Sequence, residues 1–189
     1  MEFDPARYGN ALRPLLDIDR CRELGPGQAL EAARAALEAM SIETAFAARR
    51  VADRQMAELC LGAVWLLHDF LDQSHRVSQA VDTPTGSYWH GIMHRREPDY
   101  GNAKYWFRRV GQHPIHAELH CAARELAGQS PDDAAAALLA QTSWDALGFV
   151  DLCQEAAGGR SQADALCRGI QQREWELLFD FCYQRAVGQ

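Results

Sequence analysis

Lysine occurs once in this 189-residue chain, at position 104, against eighteen arginines. The formal net charge is −7, so the broad basic surface that non-specific nucleic-acid binding requires is missing. Long apolar runs are missing too. The longest, CLGAVWLL at residues 60–67, is stopped by His68 and Asp69, well short of the roughly 20 residues that span a bilayer. The six cysteines (21, 60, 121, 153, 167 and 182) include no CxxC pair. That argues against a disulfide framework or a cysteine zinc site and reads as small buried hydrophobes in a reducing compartment. The opening MEFDP has no apolar core of a secretory signal, and the cytoplasm is the expected location. Neither GxxxxGK, GxGxxG nor GxSxG occurs, which removes the usual phosphate loops and the nucleophile elbow. ExxH pairs are also missing, which disfavours di-iron chemistry of the ferritin type.

Period-two runs of Val, Ile and Thr do not occur, so strands are not expected. With 48% hydrophobic and 24% charged residues, the chain reads as one all-α domain over 1–189, a helical bundle of about six to eight helices. An irregular N-terminal arm occupies 1–26, and a first helix lies near 28–40. Asp53 caps a long second helix over about 54–80, and Ser87 caps a short one that must end near Arg96, ahead of Pro98. Asp99 caps the next, which Gly111 closes. His113-Pro114, Ser130-Pro131, Asp145 and Ser161 open the rest, the last reaching about Ala186.

Within this plain helical background the segment 84–120 differs. Residues 87–109, SYWHGIMHRREPDYGNAKYWFRR, hold the sole lysine, four arginines, two histidines and the aromatics Tyr88, Trp89, Tyr100, Tyr105, Trp106 and Phe107. All seven histidines fall between 68 and 120. His90 and His94 are four apart, as are His116 and His120, with His113 three before His116; such spacings put side chains side by side on a helix. On a continuous second helix, Leu61, Val64, Trp65, His68, Leu71, Asp72 and His75 would form one stripe that turns from apolar to polar. Buried imidazoles and carboxylates require partners, so this stripe should meet other polar groups.

The expectation that follows is one polar pocket between the second helix and the helix pair at 87–110. His68, His75, His90 and His94 are the candidate ligands of a divalent metal such as zinc or iron. His94, Lys104 and Asp72 are the candidate catalytic groups, with Asp72 orienting an imidazole. Arg95, Arg108, Asn102 and Trp106 would hold a small phosphate- or carboxylate-bearing substrate, for metal-assisted hydrolysis or a lyase step. The rival reading makes the same residues a structural polar network in a non-catalytic ligand-binding or homodimeric assembly protein, its aromatics and arginines forming the subunit surface.

LLHDFLD resembles the His-Asp doublet of the HD-domain phosphohydrolases, which implies a metal at His68 and Asp69. No histidine precedes residue 68, so the upstream ligand of that family has no counterpart here. HDFLDQSH followed by an HxxxH pair resembles the DinB-type bundles, which implies a divalent metal held by three histidines. Here His90 and His94 follow at once across DTPTG, instead of on a distant helix.

Overall fold

The protein, seen in a computed structural model, is described over residues 3–131 and 133–189. Met1 and Glu2 of the expected arm, and Asp132, lie outside those residues. It is all-helical, with no strand among the described residues. A 3₁₀ turn at Pro5–Tyr8 leads into α1 (Arg13–Leu16), and another at Glu31–Ala33 into α2 (Arg34–Glu38). Then come α3 (Ile42–Ala45), α4 (Arg54–Leu67), α5 (Leu71–Ala80), α6 (Pro84–Arg96) and α7 (Tyr100–Val110). The chain continues through α8 (His116–Gln129), α9 (Ala134–Ala140), α10 (Ala146–Ala157) and α11 (Asp164–Ala186). The eleven helices among the described residues exceed the expected six to eight because α1 and α3 are additional single turns and the expected 54–80 helix is two.

The signals read from sequence act where expected at several ends. Asp53 Oδ1 accepts the Met56 amide at 3.1 Å, Asp99 Oδ1 that of Asn102 at 3.1 Å, and Asp145 Oδ1 those of Leu147 and Gly148. Gly111 closes α7 at φ 63°. For α6 the cap is Thr83 rather than Ser87, with Pro84 at the first turn, where its missing N–H costs nothing.

The 54–80 helix is not continuous. It breaks at His68–Phe70, where Asp69 takes φ 63°, a left-handed conformation that Asp tolerates better than most residues. Two arginines hold it there. Arg96 Nη2 donates to Asp69 Oδ1 at 2.6 Å, and Arg22 pairs with Oδ2. Gly27 (φ 71°) sits against the same carboxylate, where a Cβ would fall 2.5 Å from Oδ2. The N-terminal arm is therefore not loose. Tyr8, Leu12, Leu16 and Leu24 are buried, and the Gly25 carbonyl accepts Arg96 Nε at 2.7 Å.

Helix α6 is the central element. Every residue from Thr85 to Arg96 is buried, although the sequence there is mostly polar. Two large hydrophobic clusters flank it. The first is built on α4, α6 and α11; the second joins α8, α9, α10 and the first half of α11. Gly91 lets α7 approach α6, since a Cβ there would lie 3.0 Å from the Phe107 ring. No helix among the described residues is long and apolar enough to cross a membrane.

The buried carboxylate of Asp69 ties α4, α6 and the arm together, and its removal would leave Arg96, itself 3% exposed, without its charge partner. Asp69→Ala should destabilise the fold by about 3–5 kcal/mol, measured by urea unfolding; Asp72→Ala, at an exposed position, should change it by less than about 0.5 kcal/mol.

Candidate metal centre

A polar helix buried on every side must satisfy its side chains within the protein. On α6 most do. Arg95 pairs with Glu174 of α11, both fully buried, and its guanidinium lies 4.7 Å from the centre of the Phe149 ring. Arg96 takes Asp69 and the Gly25 carbonyl, and Thr85 meets His113 Nε2 at 3.2 Å. What remains is the Tyr88 hydroxyl, Nε and Nη1 of Arg95, and the imidazoles of His90 and His94. Both ring nitrogens of His90 are buried without a hydrogen-bond partner.

The helical hairpin explains what those imidazoles face. Only residues 81–83 separate α5 from α6, so the two run back alongside each other. His75 stands five residues before the end of α5 and His90 six after the start of α6, which puts them at about the same height at 1.5 Å per residue. The same holds on the other flank, where His90 lies six residues before the end of α6 and Trp106 six after the start of α7. The ring centres of His75 and His90 are 4.7 Å apart, those of His75 and His94 5.2 Å, and those of His90 and His94 4.8 Å. Trp106 stacks on His90 at 3.9 Å and 15°. The result is a three-imidazole cluster, with one nitrogen from each ring lying within 4.8 Å of the others. Tetrahedral ligands at 2.0–2.1 Å from one ion stand about 3.4 Å apart, a closure within the broad χ2 freedom of histidine.

The electrostatics suit neutral ligands. Burial, followed by the neighbouring His94 and His75, pushes His90 down to about 3. Burial also lowers His94, although Glu97 opposes the shift. Glu97 Oε2 lies 3.2 Å from His94 Nδ1, off line for a full hydrogen bond yet near enough to favour the proton on Nδ1. That tautomer leaves the Nε2 lone pair of His94 available, the usual arrangement behind a metal-bound imidazole.

The other expected site residues are placed as follows. His68 lies outside the cluster: it ends α4, and its Nε2 meets the Leu15 carbonyl at 2.9 Å, holding the arm. The break at Asp69 turns the stripe that would have aligned it with His75. Asp72, exposed in the first turn of α5, shares the His75 face at three residues' spacing. Asn102 and Trp106 occupy the flank of α7 nearest the imidazoles, although the Asn102 amide is bonded to Asp99 at 2.8 Å. Lys104 projects from the opposite side of α7 and pairs with Asp151 of α10. Arg95 points into the core and Arg108 into solvent. Two residues beside the cluster were not anticipated. Glu97 had a visible signal, a carboxylate three residues after His94. Arg109, 5.3 Å from the Trp106 ring and 3.0 Å from Asp82, shares a helix face with Trp106 and Asn102.

His113, His116 and His120 do not join the cluster. His113 is bonded to Thr85, the His113 amide donates to His116 Nδ1 at 3.3 Å, and His120 Nε2 meets the Gln141 carbonyl at 3.2 Å. The chain matches no protein-family model, and neither the curated proteins nor the solved structures contain a significant match.

Burial, then His116, depresses His113 from its ordinary 6.5 to about 4. The folded state thus binds fewer protons than the unfolded one between those values, and stability rises with pH. The contribution is complete above about 6.5 and is lost as pH falls towards 4. Urea midpoints at pH 7.5 and 5 should differ more for the natural protein than for His113→Gln, which cannot take the proton. Equal differences would remove His113 from the acid response.

Proposed function

We propose that the protein is a metal-dependent hydrolase or lyase for a small anionic molecule, with His75, His90 and His94 holding one divalent transition metal. The observation that carries this reading is His90, whose two buried ring nitrogens have no protein partner and which faces two further imidazoles. An apolar residue could fill that volume without the cost of burying an imidazole; an unpaired buried polar group costs about 1–3 kcal/mol. Three imidazole ligands suit zinc, iron or a similar ion rather than magnesium or calcium, which prefer oxygen.

A metal held by three protein ligands keeps a position for water or substrate and makes that water a nucleophile near neutral pH. The chain's own groups divide the remaining work. Glu97 fixes the His94 tautomer, Trp106 clamps the His90 plane, and Asp72, beside His75 on the open edge of α5, is the group able to take up a proton. Asn102 and Arg109 on the α7 rim, bonded in this structure to the exposed Asp99 and Asp82, are the groups that would turn to an anionic substrate. The structural-network reading applies to part of the same sequence block: Arg95, Arg96 and Lys104 are each engaged with a carboxylate.

Zinc or cobalt(II) added to chelator-treated protein should bind at one equivalent, read by elemental analysis and by the visible bands of cobalt. His90→Ala should weaken binding by roughly a hundredfold or more, and Glu97→Gln by about tenfold, while His68→Gln should leave it unchanged. Failure of the natural protein to hold either ion, or full retention in His90→Ala, would overturn the assignment. Turnover of phosphate or carboxylate esters of small molecules should appear only in the metal-loaded form.

A further inference from the structure

A wide concavity lies on the other side of α7 from the imidazoles. A cleft of about 580 Å³ opens between the N-terminal arm at Glu23–Gly25, the α6–α7 loop and the α10–α11 connection. A second hollow of about 390 Å³ shares Pro98, Tyr100 and Gln154 with it and continues towards Lys104. We propose that this cleft is a second binding site, for a small organic phosphate.

Its size lies within the roughly 300–1,000 Å³ of small-molecule sites. Its walls are fixed from behind by buried groups. Leu24 is 3% exposed, the Gly25 carbonyl accepts from the buried Arg96 at 2.7 Å, and Gln171 donates to the Glu23 carbonyl at 3.1 Å. The arm is held by five or more such anchors across the molecule, so the cleft does not depend on a mobile edge.

The chemistry of the lining is guanidinium chemistry. Arg168 is oriented by its Nη2 bond to the Cys21 carbonyl at 2.8 Å, while its Nε is buried with no partner. Arg160 makes a single long contact, 3.5 Å to the Gln154 carbonyl, so most of its donors remain free for a ligand. The planar fork of Arg160 can grip a phosphate in two places, and Arg168, whose Nη2 and Nη1 already face the Cys21 carbonyl and Asp164 and whose Nε is buried, adds its positive charge. The N-terminus of the 23-residue α11 begins here at Asp164 and adds a favourable dipole. Two carboxylates are near. Asp164 is 3.8 Å from Arg168 and already offsets part of its charge, and Glu23 stands exposed at the rim. The half-buried Tyr100 ring lies where both hollows meet, a surface for the organic part of the ligand.

The imidazole cluster plays no part in this site, so the test uses chelator-treated protein and phenyl phosphate as the probe. Calorimetry should detect binding, and ¹⁵N-labelled protein should show amide shifts concentrated at 23–25, 98–104 and 154–168. Arg160→Gln, at an exposed position, should fold with an unchanged melting temperature and bind roughly tenfold or more weakly. The inference is overturned if phenyl phosphate does not bind at millimolar concentration, if Arg160→Gln binds it equally well, or if the shifts fall elsewhere. None of those results bears on metal binding by His75, His90 and His94.

Discussion

Burying a polar helix on all sides sets the terms for everything around it. Helix α6 carries threonine, serine, tyrosine, two histidines and two arginines into the interior, and each desolvated group must recover what it loses from water. The remainder of the chain is arranged to meet that demand. Glu174 reaches Arg95 from α11, Asp69 reaches Arg96 from a strained turn, and His113 reaches Thr85 from the α7–α8 connection. The N-terminal arm wraps inward because its backbone carbonyls serve Arg96, Arg168 and His68. Against that background the unpartnered nitrogens of His90 mark a place where the protein supplies neutral lone pairs and no protein donor.

The helix ends that were legible in the sequence are those fixed by local chemistry. Asp99 and Gly111 bracket α7, and Asp145 opens α10, because a cap acts within three or four residues of itself. The break at Asp69 was not legible for the opposite reason. Leu61 to His75 has helical periodicity throughout, and what turns the chain is a carboxylate gripped by Arg22 and Arg96, distant in sequence. The loss of one helix propagated to the site. A continuous helix places His68 above His75 on one stripe; the turn sends His68 to the Leu15 carbonyl instead. The pair His90 and His94 stays side by side because four-residue spacing survives wherever the helix goes; His75 was expected from a continuous stripe, and it is the short α5–α6 connection that sets it at the height of His90 despite the break. Trp106 was expected to hold a substrate; in the fold it stacks on His90.

The cationic block at 94–109 illustrates how little charge density alone says about role. Arg95 and Arg96 are consecutive, yet about 100° apart on the helix, and so they serve different carboxylates in different parts of the core. Lys104 and Trp106 are two apart and face opposite sides of α7. A dense stretch of one helix hairpin therefore divides into a structural half, spent on Glu174, Asp69 and Asp151, and an imidazole half with unspent ligands.

The use of arginine rather than lysine at positions 95 and 96 has the same origin. Arg95 and Arg96 are 0% and 3% exposed, and a guanidinium tolerates that because it is weakly hydrated, stays charged, and spreads its donors across a plane that can meet a carboxylate, a carbonyl and an aromatic face together. Arg95 uses Glu174 and the Phe149 ring; Arg96 uses Asp69 and the Gly25 carbonyl. An ammonium in either place would present one compact, strongly hydrated charge to partners lying in several directions, and burial would drive it towards its neutral form. Lys104 pairs instead with the largely exposed Asp151, where water meets what the ion pair does not. Arginine for lysine is thus the choice that allows α6 to carry two cations and still be buried from Thr85 to Arg96, and the space that arrangement leaves between α5 and α7 is filled by imidazoles.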